Sequence, residues 1–252
     1  MLRTRVIPVL LLRNKGLVKT IQFDKSKYIG DPINAVKLFN DKEVDELVFL
    51  DIDASKQNRK PDFDYLKSIA SECFMPLGYG GGITTMDDIN RLFSIGIEKV
   101  ILNTVALNNL EIIKEAAKNY GNQSIVVSID VNQNLFGKYQ IFSHSKTKHK
   151  QTDLIDYINK VQEAGAGEII INSVDRDGMM NGYDIKLIQR LSGILTIPMV
   201  ITGGAGNLKH LKEAEEAGAS GVAAGSMFIY HGPHKAVLIN YPTYQELKKI
   251  FN

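Results

Sequence analysis

A chain of 252 residues, 44% hydrophobic and 23% charged, can bury the core of one large domain, and its 30 Lys and Arg against 28 Asp and Glu leave a net charge of only +2. That balance, with no long basic run, argues against nucleic acid as the main partner, because backbone binding needs clustered Lys and Arg. Cys73 is alone, which excludes a disulfide framework or a cysteine metal site and fits a reducing cytoplasm, and no apolar segment is long enough to span a bilayer.

The chain opens on Met1-Leu2-Arg3-Thr4-Arg5 and a short apolar run from Val6 to Leu12, broken by Pro8 and stopped by Arg13-Asn14-Lys15, which is not the pattern of a signal peptide. Strands are expected over Arg5 to Leu11, Leu47 to Ile52, Met75 to Tyr79, Lys99 to Leu102, Ser124 to Asp130, Glu168 to Asn172, Pro198 to Ile201 and Gly221 to Ala224. These runs are nearly continuous in Val, Ile and Leu, as in parallel strands covered by helices. Helical patterns lie between them, such as Asp31 to Asp41, opened by Asp31 as a cap with Pro32 in its first turn, and Leu208 to Ala217 before the turn glycine Gly218. Eight βα units predict an α/β fold, a closed (β/α)8 barrel in a single domain. The rival, a doubly wound sheet, would need a G-x-G-x-x-G after the first strand, and none is there. Two longer insertions, Arg13 to Gly30 and Val131 to Gln151, follow strands one and five at the end of the barrel where sites form, and are expected to cover or line that site. The second holds the basic run His144 to Lys150, which reads as a solvated loop or as a phosphate-steering patch.

The barrel is written twice. Tyr79-Gly80-Gly81-Gly82-Ile83 is echoed by Thr202-Gly203-Gly204-Ala205-Gly206, and Leu102-Asn103-Thr104-Val105 by Ala224-Gly225-Ser226-Met227, each about 120 residues on, so half-barrels of approximately residues 1–121 and 122–252 are expected. Glycine-rich loops after barrel strands present backbone N–H groups to a phosphate, and matched pairs after strands three and four and after seven and eight predict two phosphates on opposite sides of one mouth. Strand-end acids can point into such a mouth, and some must instead be structural: Asp51 and Asp53 after strand two, Asp130 on strand five, Asp175 and Asp177 after strand six. Carried back by the repeat, Asp130 falls on Leu11, so one side of the mouth has no carboxylate there. Lys19, in the first insertion, is a candidate contact for an anionic substrate. His231 and His234 flank Gly232-Pro233 without the company of metal ligands, and no metal or cofactor is expected.

Along almost its whole length the chain resembles the cyclase subunit of imidazole glycerol phosphate synthase. The resemblance rests on Arg5-Val6-Ile7-Pro8, Gly30-Asp31-Pro32, Asp45 to Ile52, Gly80-Gly81-Gly82-Ile83, Ala164 to Ile169, Asp175-Arg176-Asp177-Gly178 with Gly182-Tyr183-Asp184, and Gly203-Gly204-Ala205-Gly206. It implies a bisphosphorylated substrate, a ribulosyl aminoimidazole carboxamide nucleotide, cyclised with ammonia from a glutaminase partner. One phosphate would lie on Gly82, Asn103 and Thr104, the other on Gly178, Gly204, Gly225 and Ser226, with Asp177 and Gly203 at the same site. It further implies a ring of alternating charges, Arg5, Glu46, Lys99 and Glu168, at the base of the barrel as the ammonia gate.

The chain departs from the family pattern at one catalytic position. The family uses an acid on strand one and another on strand five; Asp130 matches the second, while Leu11 occupies the first, leaving Asp51 as the candidate substitute. Val9 stands where the family usually has cysteine, and the segment from His231 to Pro242 is reshaped. These departures resemble paralogues in surface-polysaccharide pathways, where a cyclase-like barrel and a glutaminase-like partner pass ammonia to an ATP-dependent amidotransferase acting on a nucleotide sugar. The alternatives are an active cyclase of histidine biosynthesis, a phosphosugar isomerase, and a phosphate-binding barrel without catalysis.

Overall fold

A computed structural model describes residues 3–143 and 152–251; the basic run from His144 to Lys150 lies outside the described residues. Eight parallel strands close into a barrel: β1 (Arg5–Arg13), β2 (Leu47–Asp51), β3 (Leu77–Gly80), β4 (Lys99–Leu102), β5 (Ile125–Gln133), β6 (Glu168–Ser173), β7 (Met199–Thr202) and β8 (Gly221–Ala224). Each pairs with the next in sequence, and β8 returns to β1 through Arg5 opposite Gly221 and Pro8 opposite Ala224. The sheet therefore has no open edge, and the expected (β/α)8 barrel is the fold.

Three strands start later than expected: Ser124 closes a 3-10 turn before Ile125, and prolines account for the other two. Met75 to Tyr79 and Pro198 to Ile201 were the expected runs, but Pro76 and Pro198 have no N–H to give to a ladder and serve only as acceptors, each just before its strand. Leu47 N donates to Pro76 O at 2.9 Å and Ile169 N to Pro198 O at 3.0 Å. Strands one and five run longer than expected, to Arg13 and Gln133, because each is extended by an antiparallel partner from its insertion. Gly16–Lys19 pairs with β1 and then with Lys27–Gly30, and Tyr139–Ile141 pairs with β5.

Helices α1 (Pro32–Asp41), α2 (Phe63–Ala70), α3 (Met86–Ser94), α4 (Thr104–Asn108), α5 (Glu111–Tyr120), α6 (Leu154–Glu163), α7 (Ile185–Ser192), α8 (Leu208–Glu216), α9 (Ser226–Ile229) and α10 (Tyr244–Phe251) accompany the strands. Their starts follow from single side chains. Asp31 accepts from Asn34 N, Asp62 from Tyr65 N and Asn207 from His210 N, and Thr85 with Asp88 forms a reciprocal capping box at α3.

Apolar side chains fill two zones. The larger lies between strands and helices, where Phe39, Phe49, Tyr79 and Phe228 are almost fully buried. The smaller fills the barrel itself with Ile7, Val9, Val48, Ile101, Val126, Ile170, Val200 and Ala223, and Leu11 and Leu50 pack on it from the side of the mouth. Removing a large side chain from such a zone costs roughly 2–5 kcal/mol. Among the described residues no helix is long and apolar enough to cross a membrane.

Candidate functional site

The eight strands point their C-terminal ends into one cavity, and the two glycine loops face each other across it. Gly81 and Gly82 have φ of +121° and +70°, and Gly203 and Gly204 have +91° and +113°, so the same left-handed pair is built after β3 and after β7. Space demands glycine as firmly as the backbone does. A Cβ on Gly82 would lie 2.3 Å from the carbonyl oxygen of Arg59, and one on Gly204 would lie 2.2 Å from that of Gly182. Asn103-Thr104 and Gly225-Ser226 complete the two sides, at matching places where α4 and α9 begin.

Asp130 lies on the floor between these sides. It is reached from the cavity and enclosed by protein elsewhere, with Asn103 Nδ2 donating to it at 2.9 Å and Asn172 Nδ2 at 3.1 Å. Burial raises its carboxyl to about 6, even though both amides favour the anion. A group poised there can exchange a proton near neutral pH. Asp177 also has its carboxyl raised by burial, opposed by the hydroxyl of Thr20, which donates to it at 2.8 Å.

Leu11 lines the same cavity beside Leu50, its partner across the ladder, so that the β1 side of the floor is apolar. Asp51 lines the cavity as well, but its carboxylate is already occupied. Its Oδ1 accepts from the backbone N–H groups of Asp53 and Ala54 at 3.1 and 3.0 Å, and both oxygens accept from Arg59 at 3.3 and 3.2 Å. Some of the strand-end acids are expected to be structural, and Asp53 and Asp175 are. Asp53 takes a double contact from Arg13, at 2.7 and 3.0 Å, and Asp175 accepts Gln133 N at 2.8 Å; local donors turn both away, and neither lines the cavity.

The first insertion covers the mouth as a strap. Gln22 N donates to Asp177 O at 3.0 Å, Gln22 Nε2 to Asp175 O at 2.9 Å, and the rings of Phe23 and Phe142 meet edge to face at 5.8 Å. The backbone of Thr20 lies where a Cβ on Gly178 would stand, 2.3 Å away. The strap carries Lys19 inward, where it is 7% exposed, and its ammonium donates to Val9 O at 2.9 Å. Lys19 lies directly over Gly225, where an added Cβ would come within 1.8 Å of Nζ. Burial lowers its ammonium to about 8, opposed by the charge of Asp177. Lys19 therefore belongs to the cavity and not to a solvated loop.

At the opposite end of the barrel, Arg5, Glu46, Lys99 and Glu168 join in a closed ring. Arg5 donates to Glu46 and Glu168 at 2.5 Å each, and Lys99 reaches Glu46 at 2.8 Å and Glu168 at 3.4 Å. Both glutamates are buried. Each carboxylate is shared by two cations, which is how ion pairs withstand desolvation.

Sequence reasoning missed Asn172 and Lys56. Asn172 had a readable signal, because it stands at the end of β6 directly opposite Asp130. Lys56, which lines the cavity from the loop after β2, is one charge in a polar stretch with no pattern to distinguish it. Among the described residues no group of three His, Cys, Asp or Glu side chains could hold a metal ion.

The model of the family described as "Histidine biosynthesis protein" matches residues 5–235. Over 253 residues, and all of both chains, this one is 50% identical to "Putative imidazole glycerol phosphate synthase subunit HisF" of Leptospira borgpetersenii. It is 46% identical to "Putative imidazole glycerol phosphate synthase subunit hisF2" of Pseudomonas aeruginosa, over 98% of this chain and 99% of that one. It is 38% identical to "Imidazole glycerol phosphate synthase subunit HisF" of Streptomyces avermitilis, over 91% of each. With a doubled glycine mouth, a buried acid and a charged ring at the base, and with matches of this extent, the chain belongs to the histidine biosynthesis protein family.

Proposed function

We propose that this chain is the HisF-like barrel subunit of a glutamine-dependent complex, that a glutaminase docks at its base, and that ammonia enters through the ring of Arg5, Glu46, Lys99 and Glu168. The apolar barrel interior suits passage of neutral ammonia, because a charged ammonium would lose its hydration there without compensation. We further propose that cyclisation has been given up and that the barrel conducts ammonia for an ATP-dependent amidotransferase acting on a nucleotide sugar in surface-polysaccharide synthesis.

The observation that carries this reading is Leu11 on the cavity floor. A leucine cannot exchange a proton, and loss of a positioned acid or base typically costs about 10²- to 10⁴-fold in rate. Asp51 is a poor substitute because Arg59 and two backbone N–H groups already fill its oxygens. A second reading, an active cyclase of histidine biosynthesis, is favoured by Asp130, whose carboxyl near 6 suits proton transfer, and by the two intact glycine loops. A phosphosugar isomerase of the same fold would equally lack its strand-one acid and would leave the ring without a role.

The partner claim is tested by mixing the chain with the glutaminase encoded in the same genome. Stable one-to-one association, and stimulation of glutamine hydrolysis that falls when Lys99 is replaced by Ala, are expected. Absence of both would remove the glutaminase reading.

A further inference from the structure

The loop after β2 holds three cations, and the first insertion sends a fourth toward it from β1. Arg13 is taken by Asp53, Arg59 by Asp51, and Lys60 by Asp88 at 3.1 Å. Lys56 is the exception. It makes no side-chain hydrogen bond or ion pair with a described residue, and it lines the cavity on the side of the first glycine loop. Its neighbour Ser55 accepts Gly82 N at 3.4 Å, and Ala54 packs against Gly82. Across the mouth, Lys19 stands over Gly225, beside the second glycine loop.

We propose that Lys56 is a ligand-binding residue, the cation that meets a phosphate lodged on the Gly82 loop, so that each side of the mouth has its own lysine. The inference rests on the reading of the two glycine loops as phosphate sites and adds a residue to it. A phosphomonoester dianion on backbone N–H groups alone keeps most of its charge uncompensated, whereas an ammonium at hydrogen-bond range makes the contact charge-assisted. Among the described residues no side chain holds Lys56 in a hydrogen bond or ion pair, so its ammonium can turn toward a ligand. Its field already reaches the floor, where it opposes the effect of burial on Asp130.

The test is a calorimetric titration with inorganic phosphate at low salt. The wild type should take two phosphates per chain. Lys56→Gln should weaken one of them about three- to tenfold, Lys56→Arg should restore most of it, and Lys118→Gln, which removes a remote surface charge on α5, should change neither. Gly204→Asp should remove the phosphate that Lys56→Gln leaves intact. The inference is overturned if two phosphates bind and Lys56→Gln is superimposable on the wild type, or if it weakens the same phosphate as Gly204→Asp. No phosphate binding by the wild type would instead overturn the reading of the glycine loops, and the role of Lys56 with it.

Discussion

Strands β1 and β5 are both nine residues long, both run past the rim into an antiparallel partner, and both end on the same cavity, but one presents Leu11 and the other Asp130. The glycine loops that accompany them keep the same left-handed backbone on both sides. Backbone geometry and chemistry are thus separable in this barrel. Glycine is required wherever any Cβ would strike a neighbouring carbonyl, whereas the strand-end side chain lines the cavity, where residues of different chemistry fit on the same backbone.

The similarity of the two sides is broken most severely at Gly204. Gly204→Asp puts a side chain 2.2 Å from a carbonyl oxygen at a φ of +113°, so it should lose phosphate on the β7 side by more than about 100-fold and destabilise the fold by roughly 2–4 kcal/mol. Gly82→Asp should do the same on the β3 side. Titration and urea denaturation check both, and a one-sided result would show that only one loop binds.

The next effect is at the base. Glu46→Ala leaves Arg5 and Lys99 each short of one carboxylate, with Glu168 remaining to both, and should cost about 2 kcal/mol, read from the urea midpoint. A smaller effect is expected from pH at Lys19. Its ammonium titrates near 8, so the charge is present at pH 7 and lost as pH rises through 8. Phosphate on the Gly225 side should weaken about five- to tenfold between pH 7 and 9 by calorimetry, and Lys19→Met should remove that dependence.

The smallest effect sharpens the contrast between Leu11 and Asp130. The Asp130 carboxyl is raised in the folded chain, so it favours folding fully below the usual carboxylate range and loses that contribution as pH rises through about 6. Asp130→Asn should therefore be more stable than wild type by about 1 kcal/mol at pH 8 and no different at pH 4, since Asn103 and Asn172 can turn their amide oxygens toward the new side chain. Leu11, uncharged, should show no such pH dependence on replacement by Val.

Much of this is legible in the sequence. The eight Val, Ile and Leu runs, the repeated glycine loops and the four ring residues are local patterns, and local patterns survive reading in one dimension. Strand starts were misjudged at Met75 and Pro198 because a proline's missing donor matters only once a neighbouring strand is in place. Which strand-end acids are structural was not legible, because Arg13 and Gln133, which decide the orientation of Asp53 and Asp175, lie far off in sequence. Lys19 was legible as a candidate contact from its place in the first insertion, whereas its burial under the strap was not, and Lys56 had no pattern at all.

The most direct test of the proposal that Leu11 takes the place of a catalytic strand-one acid is an ammonia-dependent cyclase assay on the purified chain with the ribulosyl aminoimidazole carboxamide nucleotide, beside Leu11→Asp and the Streptomyces avermitilis relative. The wild type is expected to show no turnover above background, with partial recovery in Leu11→Asp that rises with pH through about 6 as Asp130 ionises. Turnover by the wild type matching that of the Streptomyces avermitilis protein would contradict the conduit reading and establish an active cyclase in which another group has replaced the acid at position 11.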